Sequence, residues 1–413
     1  MKGKRSAMDF SLTEEQVQVR DMVREFAQRE VAPYIREWDA KVEFHPEILT
    51  KMGELGILGL PIPERYGGLG LDYVSLALAC DELEYVDTFL RVIMSVHVGL
   101  NSLALLQWGT EEQKQRWLVP QAQGAKIATF GLTEPNAGSD AGSIESTVVR
   151  DGDHYILNGA KMWISLADAA DHFLVFASID RSKKHHGLCA FMLERGMEGF
   201  TTGTIKGKLG VRAGNTGELA FNNVRVPVEN RIGEEGEGFK IAMSCIDQGR
   251  FTVGAGAVGL TRAALDASVK YANEREAFGE PIGSFQLVKQ MVAKMVAGYE
   301  ASYLLTMKAA ELKNLGVRNT RETSLMKWYA CDVALQSADD AIQIHGSYGF
   351  SNEYPVERMW RNARGAVIYE GTREVHTLVQ ADYALGYRKD KPLSHPQPPA
   401  QGFEVAELLA MTR

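Results

Sequence analysis

Hydrophobic periodicity switches twice along this chain, and each switch demands a change of architecture. From Asp9 to about Gly124 apolar residues recur at helical spacing, as in Val17, Val19, Met22, Val23 and Phe26, and again between Leu76 and Leu106. Between about Lys126 and Gly238 they form short runs, such as Tyr155-Ile156-Leu157 and Leu188 to Leu193, separated by Gly, Asn and Asp. After Gly238 the helical spacing returns and lasts to about Leu385, in segments beginning near Phe239, Ser284 and Thr320. The pattern predicts a helical domain over 8–125, a β domain over 126–238 and a helix bundle over 239–386. A tail, 387–413, carries Pro392, Pro396, Pro398 and Pro399, and is expected to be extended or mobile as far as Glu404. Locally, Ser11 ahead of Glu14 and Glu15 reads as a capping-box start. Asp151-Gly152-Asp153 and Asn158-Gly159 both read as hairpin turns.

With 45% hydrophobic and 24% charged residues in 413, there is material for two or three packed cores. A net charge of −8 with no basic block excludes the electrostatic footprint of a nucleic-acid binder. Cys80, Cys189, Cys245 and Cys331 are far apart, with no C-x-x-C and no His at ligand spacing, so free thiols and no metal centre are expected. No stretch reaches the ~18 apolar residues of a membrane span. Met1 to Ala7 lacks the apolar core of a signal peptide and reads as an extension before Met8, which makes a cytoplasmic location the expectation. Gly254-Ala255-Gly256-Ala257-Val258-Gly259 satisfies a dinucleotide-binding pattern, but helical periodicity on both sides denies it the strand it requires. Small residues here read as a close helix contact, and NAD dependence is not inferred.

Three segments carry chemistry: Phe130-Gly131-Leu132-Thr133-Glu134-Pro135-Asn136-Ala137-Gly138-Ser139-Asp140, Arg275-Glu276-Ala277-Phe278-Gly279, and Ile368-Tyr369-Glu370-Gly371-Thr372. Alone, the first is a surface turn, the second a solvated helix-end charge, and the third an exposed loop carboxylate. Their order and spacing, with Gln343-Ile344-His345-Gly346 and Asn352-Glu353-Tyr354-Pro355, resemble the acyl-CoA dehydrogenase family over essentially the whole chain to about Gly386. The resemblance implies a mainly α fold with a central β domain: an N-terminal helical domain, a barrel-like middle and a C-terminal four-helix bundle. It also implies FAD, an acyl-CoA substrate, an electron-transfer flavoprotein as electron acceptor, and a homotetramer in which each flavin lies between neighbouring subunits.

By matching position, the resemblance assigns Phe130, Leu132 and Thr133 to the isoalloxazine, and Ser139 to the pyrophosphate and the CoA arm. Trp163 and Ser165 would cover one flavin face and reach its N5 edge. Arg275, Phe278 and Gln286 would approach the phosphates and adenine from the adjacent subunit, with Gln343 and Ser347 as a further contact. Thr372 and Glu374 match positions holding the adenosine diphosphate portion. Glu370 would be the base that removes the α proton, since a carboxylate in an apolar pocket gains proton affinity. Tyr369 and Gly371 would flank the substrate, and Asp247 and Arg250 would position the CoA chain and the active-site loop. Gly249 occupies the place where some relatives carry their base, and cannot act as one.

Glu84 and Arg91 match the spacing of the glutaryl-CoA dehydrogenase-like branch, where that Arg holds a distal carboxylate. Glu84, Asp87, Thr88, Arg91 and Ser95 share one face of an otherwise apolar helix, so the plain alternative is a solvated stripe with an Asp87–Arg91 pair. An unpaired buried guanidinium would favour a carboxylated thioester, of glutaryl or benzylsuccinyl type. A neutral short, branched or cyclic acyl-CoA is the alternative substrate. A non-catalytic scaffold of the same fold is the alternative function.

Overall fold

In the computed structural model, which describes residues 11–400 and 403, the first helix is capped by Thr13 rather than Ser11. The Thr13 hydroxyl accepts from Gln16 N–H, and the Gln16 side chain accepts from Thr13 N–H at 3.0 Å, a reciprocal box built on Gln16 instead of Glu14 or Glu15. The extension before Met8 and the end of the tail at Glu404 lie outside the described residues. Helices α1 (Glu14–Glu30), α2 (Ile35–Lys41), α3 (Glu47–Glu54) and α4 (Tyr73–Val86) follow. Asp87 then turns extended (φ −163°, ψ 145°), ending α4, and its carboxylate accepts from Phe89 N–H to start α5 (Thr88–Ile93). The run from Glu84 to Ser95 is therefore not one helix. Helix α5 widens into π-helical turns over Met94–Ser102 and continues as α6 (Leu103–Trp108); α7 (Glu111–Gln113) and α8 (Val119–Ala122) complete the region. By length and composition Thr88–Trp108 could cross a membrane, yet 94% of its apolar window is buried inside the protein.

The middle region forms one sheet from β1 (Ala128–Gly131), β2 (Thr147–Asp151), β3 (His154–Ser165), β4 (His172–Ser178), β5 (Leu188–Glu194), β6 (Phe200–Thr204), β7 (Thr216–Pro227) and β8 (Arg231–Ile232). Its order is β6-β7-β3-β2-β4-β5-β8, with β1 parallel to β4. The β2–β3 hairpin turns at Gly152-Asp153, with Gly152 at φ 61°. Asn158-Gly159 is not a turn. It is a bulge inside β3, where Gly159 takes φ 135° and a Cβ would fall 2.4 Å from the Ser146 hydroxyl.

The last region comprises α9 (Gly238–Glu274), α10 (Gln286–Asn314), α11 (Thr320–His345), α12 (Val356–Ala366) and α13 (Arg373–Leu385). The glycine motif lies inside α9 and serves packing: a Cβ at Gly259 would meet the Asp81 carbonyl of α4 at 1.9 Å, and one at Gly254 would meet Met326 of α11 at 2.8 Å. One apolar core joins α1, α4 and α5 to the sheet through Val23, Leu83, Phe89, Phe173 and Phe176. A second fills the bundle around Val253, Ala257, Ala330 and Ala334. The tail is extended, one of the two expectations for it, and it is docked as far as Ala400. Gln397 is buried and donates to Leu103 O at 2.9 Å, His395 lies against Trp108 with ring centroids 4.1 Å apart, and Ala400 N–H donates to Asn314 O at 2.8 Å.

Candidate active site

The loop between α12 and α13 carries Glu370 in a left-handed conformation (φ 55°) that non-glycine residues seldom adopt, followed by Gly371 at φ 100°. Cations hold its carbonyls. Lys327 Nζ of α11 donates to Tyr369 O at 2.9 Å and to Gly371 O at 2.7 Å, and Arg250 Nε of α9 donates to Glu370 O at 3.2 Å. Glu370 keeps slight solvent contact, but its Oε2 is enclosed and has no hydrogen-bond partner. That oxygen sits where a Cβ on Gly249 would be, 1.9 Å from the ideal position, so the missing side chain makes the seat for the carboxylate. Burial pushes the Glu370 carboxyl up to about 7, against the pull of Arg91, Lys327 and Arg250.

Arg91 is 1% exposed and so is Glu84, and Nε donates to Glu84 Oε2 at 2.6 Å. Its other groups donate to Ser95 Oγ at 3.1 Å and to Tyr369 Oη at 2.5 Å. Neither the solvated stripe nor an unpaired guanidinium is present. Asp87 bonds instead to Arg358 at 3.0 Å and Asn362 at 3.1 Å, because its capping role turns it away from Arg91. Gly256 of α9 accommodates the pair: a Cβ there would lie 2.0 Å from Glu84 Oε2 and 2.7 Å from Arg91 Cγ.

Asp247 accepts from Arg250 at 3.1 Å and from Thr320 at 2.7 Å. The Thr372 hydroxyl accepts from Val375 N–H at 3.3 Å as the cap of α13, a structural use not foreseen for it, while Glu374 is exposed in the first turn. His376 is fully buried. Ser324 meets its Nδ1 at 2.8 Å, its Nε2 has no partner, and burial with the nearby Lys327 and Arg250 pushes the imidazole down to about 2, so it is neutral.

At the end of β1, Phe130 packs on Phe176 (5.1 Å between centroids), Leu132 is buried and Thr133 half-buried. Thr133 O accepts from Met162 N–H at 2.9 Å, which puts Trp163 on the same rim. Trp163 is no core residue: it interrupts the β3 register at φ 64° and leaves 56% of its surface exposed. Ser165 is half-buried beside it and Ser139 exposed in the following loop. Beneath the rim, Lys161 Nζ bonds Glu134 at 2.6 Å and Leu132 O at 3.3 Å. Arg275, Phe278, Gln286, Gln343 and Ser347 are all exposed and gather where α9 and α11 end and α10 begins, with Phe278 97% exposed. From Gly249 to that end of α9 is about 38 Å at 1.5 Å per residue. One chain therefore brings together Glu370, Tyr369, Arg91, Glu84, Asp247 and Arg250, and leaves the Arg275 group remote. Among the described residues, no group of three or more His, Cys, Asp or Glu could hold a metal ion.

Sequence reasoning missed Lys327 and His376. Lys327 lies on the buried stripe Thr320, Thr323, Ser324, Lys327, Ala330, Cys331, Ala334, and a lysine in that register is the signal that could have found it.

Three family profiles match in chain order: "Acyl-CoA dehydrogenase, N-terminal domain" at 13–125, "middle domain" at 129–224 and "C-terminal domain" at 236–385. The short-chain specific acyl-CoA dehydrogenase of Clostridium acetobutylicum is 45% identical over 372 residues, 90% of this chain and 98% of that one. The chain belongs to the acyl-CoA dehydrogenase family. A structure of the glutaryl-coenzyme A dehydrogenase glutaryl-CoA complex matches this acyl-CoA dehydrogenase with a TM-score of 0.91 at 37% identity, covering 94% of this chain and 99% of that one. Another, described as "Electron transferring flavoprotein of Acidaminococcus fermentans: Towards a mechanism of flavin-based electron bifurcation", matches with a TM-score of 0.90 at 45% identity, covering 92% and 100%. The family fold, with helical outer domains around a sheet, is the one found here. The enzyme is FAD-dependent. The β1–β3 rim fits that cofactor, because an exposed indole fixed at a bulge offers a flat wall beside the Thr133 loop.

Proposed function

We propose that this enzyme oxidises short-chain acyl-CoA thioesters between the α and β carbons, with Glu370 as the base, and passes the electrons to an electron-transfer flavoprotein. The enclosed, unbonded Oε2 of Glu370 carries this reading: a carboxylate with proton affinity near neutrality is matched to removing a weakly acidic proton. FAD, when bound against Phe130, Leu132, Thr133, Trp163 and Ser165, supplies the acceptor for the β hydrogen and its electron pair. Glu370 takes the α proton, and its backbone N–H donates to the thioester oxygen as charge develops there. Asp247 and Arg250 hold the CoA chain and the loop, and Ser139 lies on the CoA arm.

Chain length follows from α9. Glu370 sits over Gly249 and the Glu84–Arg91 pair over Gly256, an interval of about 10 Å along the helix. We read that interval as the bound on the acyl chain. Glu84 already neutralises Arg91, so a neutral chain leaves no buried charge unpaired, in line with the short-chain specificity named for the Clostridium acetobutylicum relative. A second reading, a distal carboxylate, is favoured by the guanidinium itself: Glu84, Ser95 and Tyr369 take three of its five N–H groups. Anaerobic mixing with butyryl-, glutaryl- and octanoyl-CoA separates these readings by the rate of flavin bleaching. Butyryl-CoA is expected to bleach fastest. Faster bleaching by glutaryl-CoA establishes the second reading, and faster bleaching by octanoyl-CoA removes the pocket limit.

The Arg275 group, about 38 Å along α9 from the seat of Glu370, supports a homo-oligomer, a tetramer by family likeness. A neighbouring subunit then supplies Arg275, Phe278, Gln286, Gln343 and Ser347 to each flavin, while Thr372 and Glu374 stand nearer the base.

A further inference from the structure

The carbonyls of residues 369, 370 and 371 are all bonded to cations, two of them to the single ammonium of Lys327. In a trans peptide the C=O and the following N–H point in opposite directions. Because the Tyr369 carbonyl is drawn toward Lys327, the N–H of Glu370 is directed away from it, and among the described residues that N–H meets no acceptor. The same clamp spans Glu370 on both sides and holds it at φ 55°, a conformation that β- or α-region torsions would relax. Lys327 itself is 1% exposed and lies on α11, packed against α9.

We propose that Lys327 is a positioning residue for the dehydrogenation: its ammonium fixes the loop so that Glu370 presents its carboxylate to the α carbon and its N–H to the thioester oxygen. The inference rests on Glu370 being the base. Lys327 also acts through charge. The groups facing Glu370 are Arg91 with its partner Glu84, Cys80 of α4, Lys327 of α11 with Cys331 beside it, Arg250 with its partner Asp247, neutral His376 of α13, and Tyr369 on the loop itself. Arg91 and Arg250 each carry a carboxylate partner, whereas Lys327 bonds only carbonyls, so its charge acts on Glu370 alongside that of Arg91 without a carboxylate of its own to offset it. Removing that charge while keeping the donors should therefore move the titration of the base and leave its geometry in place.

The test compares Lys327→Gln, which keeps N–H donors without charge, with Lys327→Met, which has neither. Anaerobic flavin reduction by butyryl-CoA is followed from pH 5.5 to 9 in the FAD-loaded enzymes. Lys327→Gln should shift the half-maximal pH upward by about half a unit or more, with a smaller loss of limiting rate than Lys327→Met. Lys327→Met should retain FAD and lose ~10- to 100-fold in limiting rate, as expected for a misplaced reacting group. FAD-loaded variants with parental pH profile and limiting rate overturn the proposal. If Lys327→Met does not hold FAD, an unmoved profile in Lys327→Gln overturns it alone. Glu370→Gln is measured alongside: if it is reduced at a rate near that of the parent, the base assignment fails instead, whatever the Lys327 variants do.

Discussion

At the scale of the residue, the base role proposed for Glu370 would set activity and stability against each other. An unfolded glutamate releases its proton near pH ~4.3, whereas the folded carboxyl is pushed up to about 7 by burial. Between those values the native state holds a proton that the unfolded chain has lost, so stability falls as pH rises through this window and stays at the lower level above 7. With Glu370 as the proposed base, abstraction needs its carboxylate, so flavin reduction should rise with pH over the upper part of the same window. Glu370→Gln removes the titration and keeps the shape. Its melting temperature should exceed that of the parent at pH 8 by more than it does at pH 5, while substrate no longer bleaches the flavin. A melting difference independent of pH would refute the raised proton affinity.

At the scale of the element, the glycines of α9 allow α4, α5 and the α12–α13 loop to bring charge against the helix. Gly256 admits the Glu84–Arg91 pair, and Gly249 admits the Glu370 carboxylate. Arg91→Met leaves Glu84 buried without its cation, which should destabilise the fold by ~3–5 kcal/mol in denaturant unfolding. Glu84→Gln/Arg91→Met buries no charge and should recover most of that loss. If the double variant is no more stable than the single one, the pair is not what holds α4 to α5. Much of this level was legible in the sequence, since hydrophobic period is a local property: the start of α11 at Thr320 and the helical context of Gly254 to Gly259 follow from it. What was not legible depends on contacts between distant segments. Asp87 reads as a helix-face partner for Arg91 until Arg358 and Asn362 of α12 claim it, Asn158-Gly159 reads as a turn until Ser146 presses on it, and Lys327 acquires meaning only when two carbonyls more than forty residues away converge on it.

At the scale of the whole molecule, several large apolar side chains are exposed together at one junction. Phe278 is 97% exposed, Phe350 92%, Leu287 74% and Tyr348 46%, all around the junction where α9 and α11 end and α10 begins. Exposed patches rich in large apolar and aromatic residues mark association sites. Arg275 stands in the same junction, exposed and bonded to no carboxylate among the described residues, which suits a guanidinium awaiting a phosphate rather than one stabilising its own helix. If that phosphate belongs to a flavin held on the β1–β3 rim of a neighbouring subunit, cofactor and assembly stabilise each other by linkage, because each binds only the form the other favours. Arg275→Ala should then raise the FAD dissociation constant by ~10-fold or more, corresponding to the ~1.5–3 kcal/mol of a hydrogen bond to a charged group. It should also shift the assembly toward smaller species on dilution, and added FAD should reverse that shift. Light scattering with simultaneous flavin absorbance reads both quantities in one experiment. A variant that sheds FAD with its assembly unchanged would confine Arg275 to cofactor binding within one subunit, and a monomer retaining FAD as tightly as the parent would remove the shared site altogether.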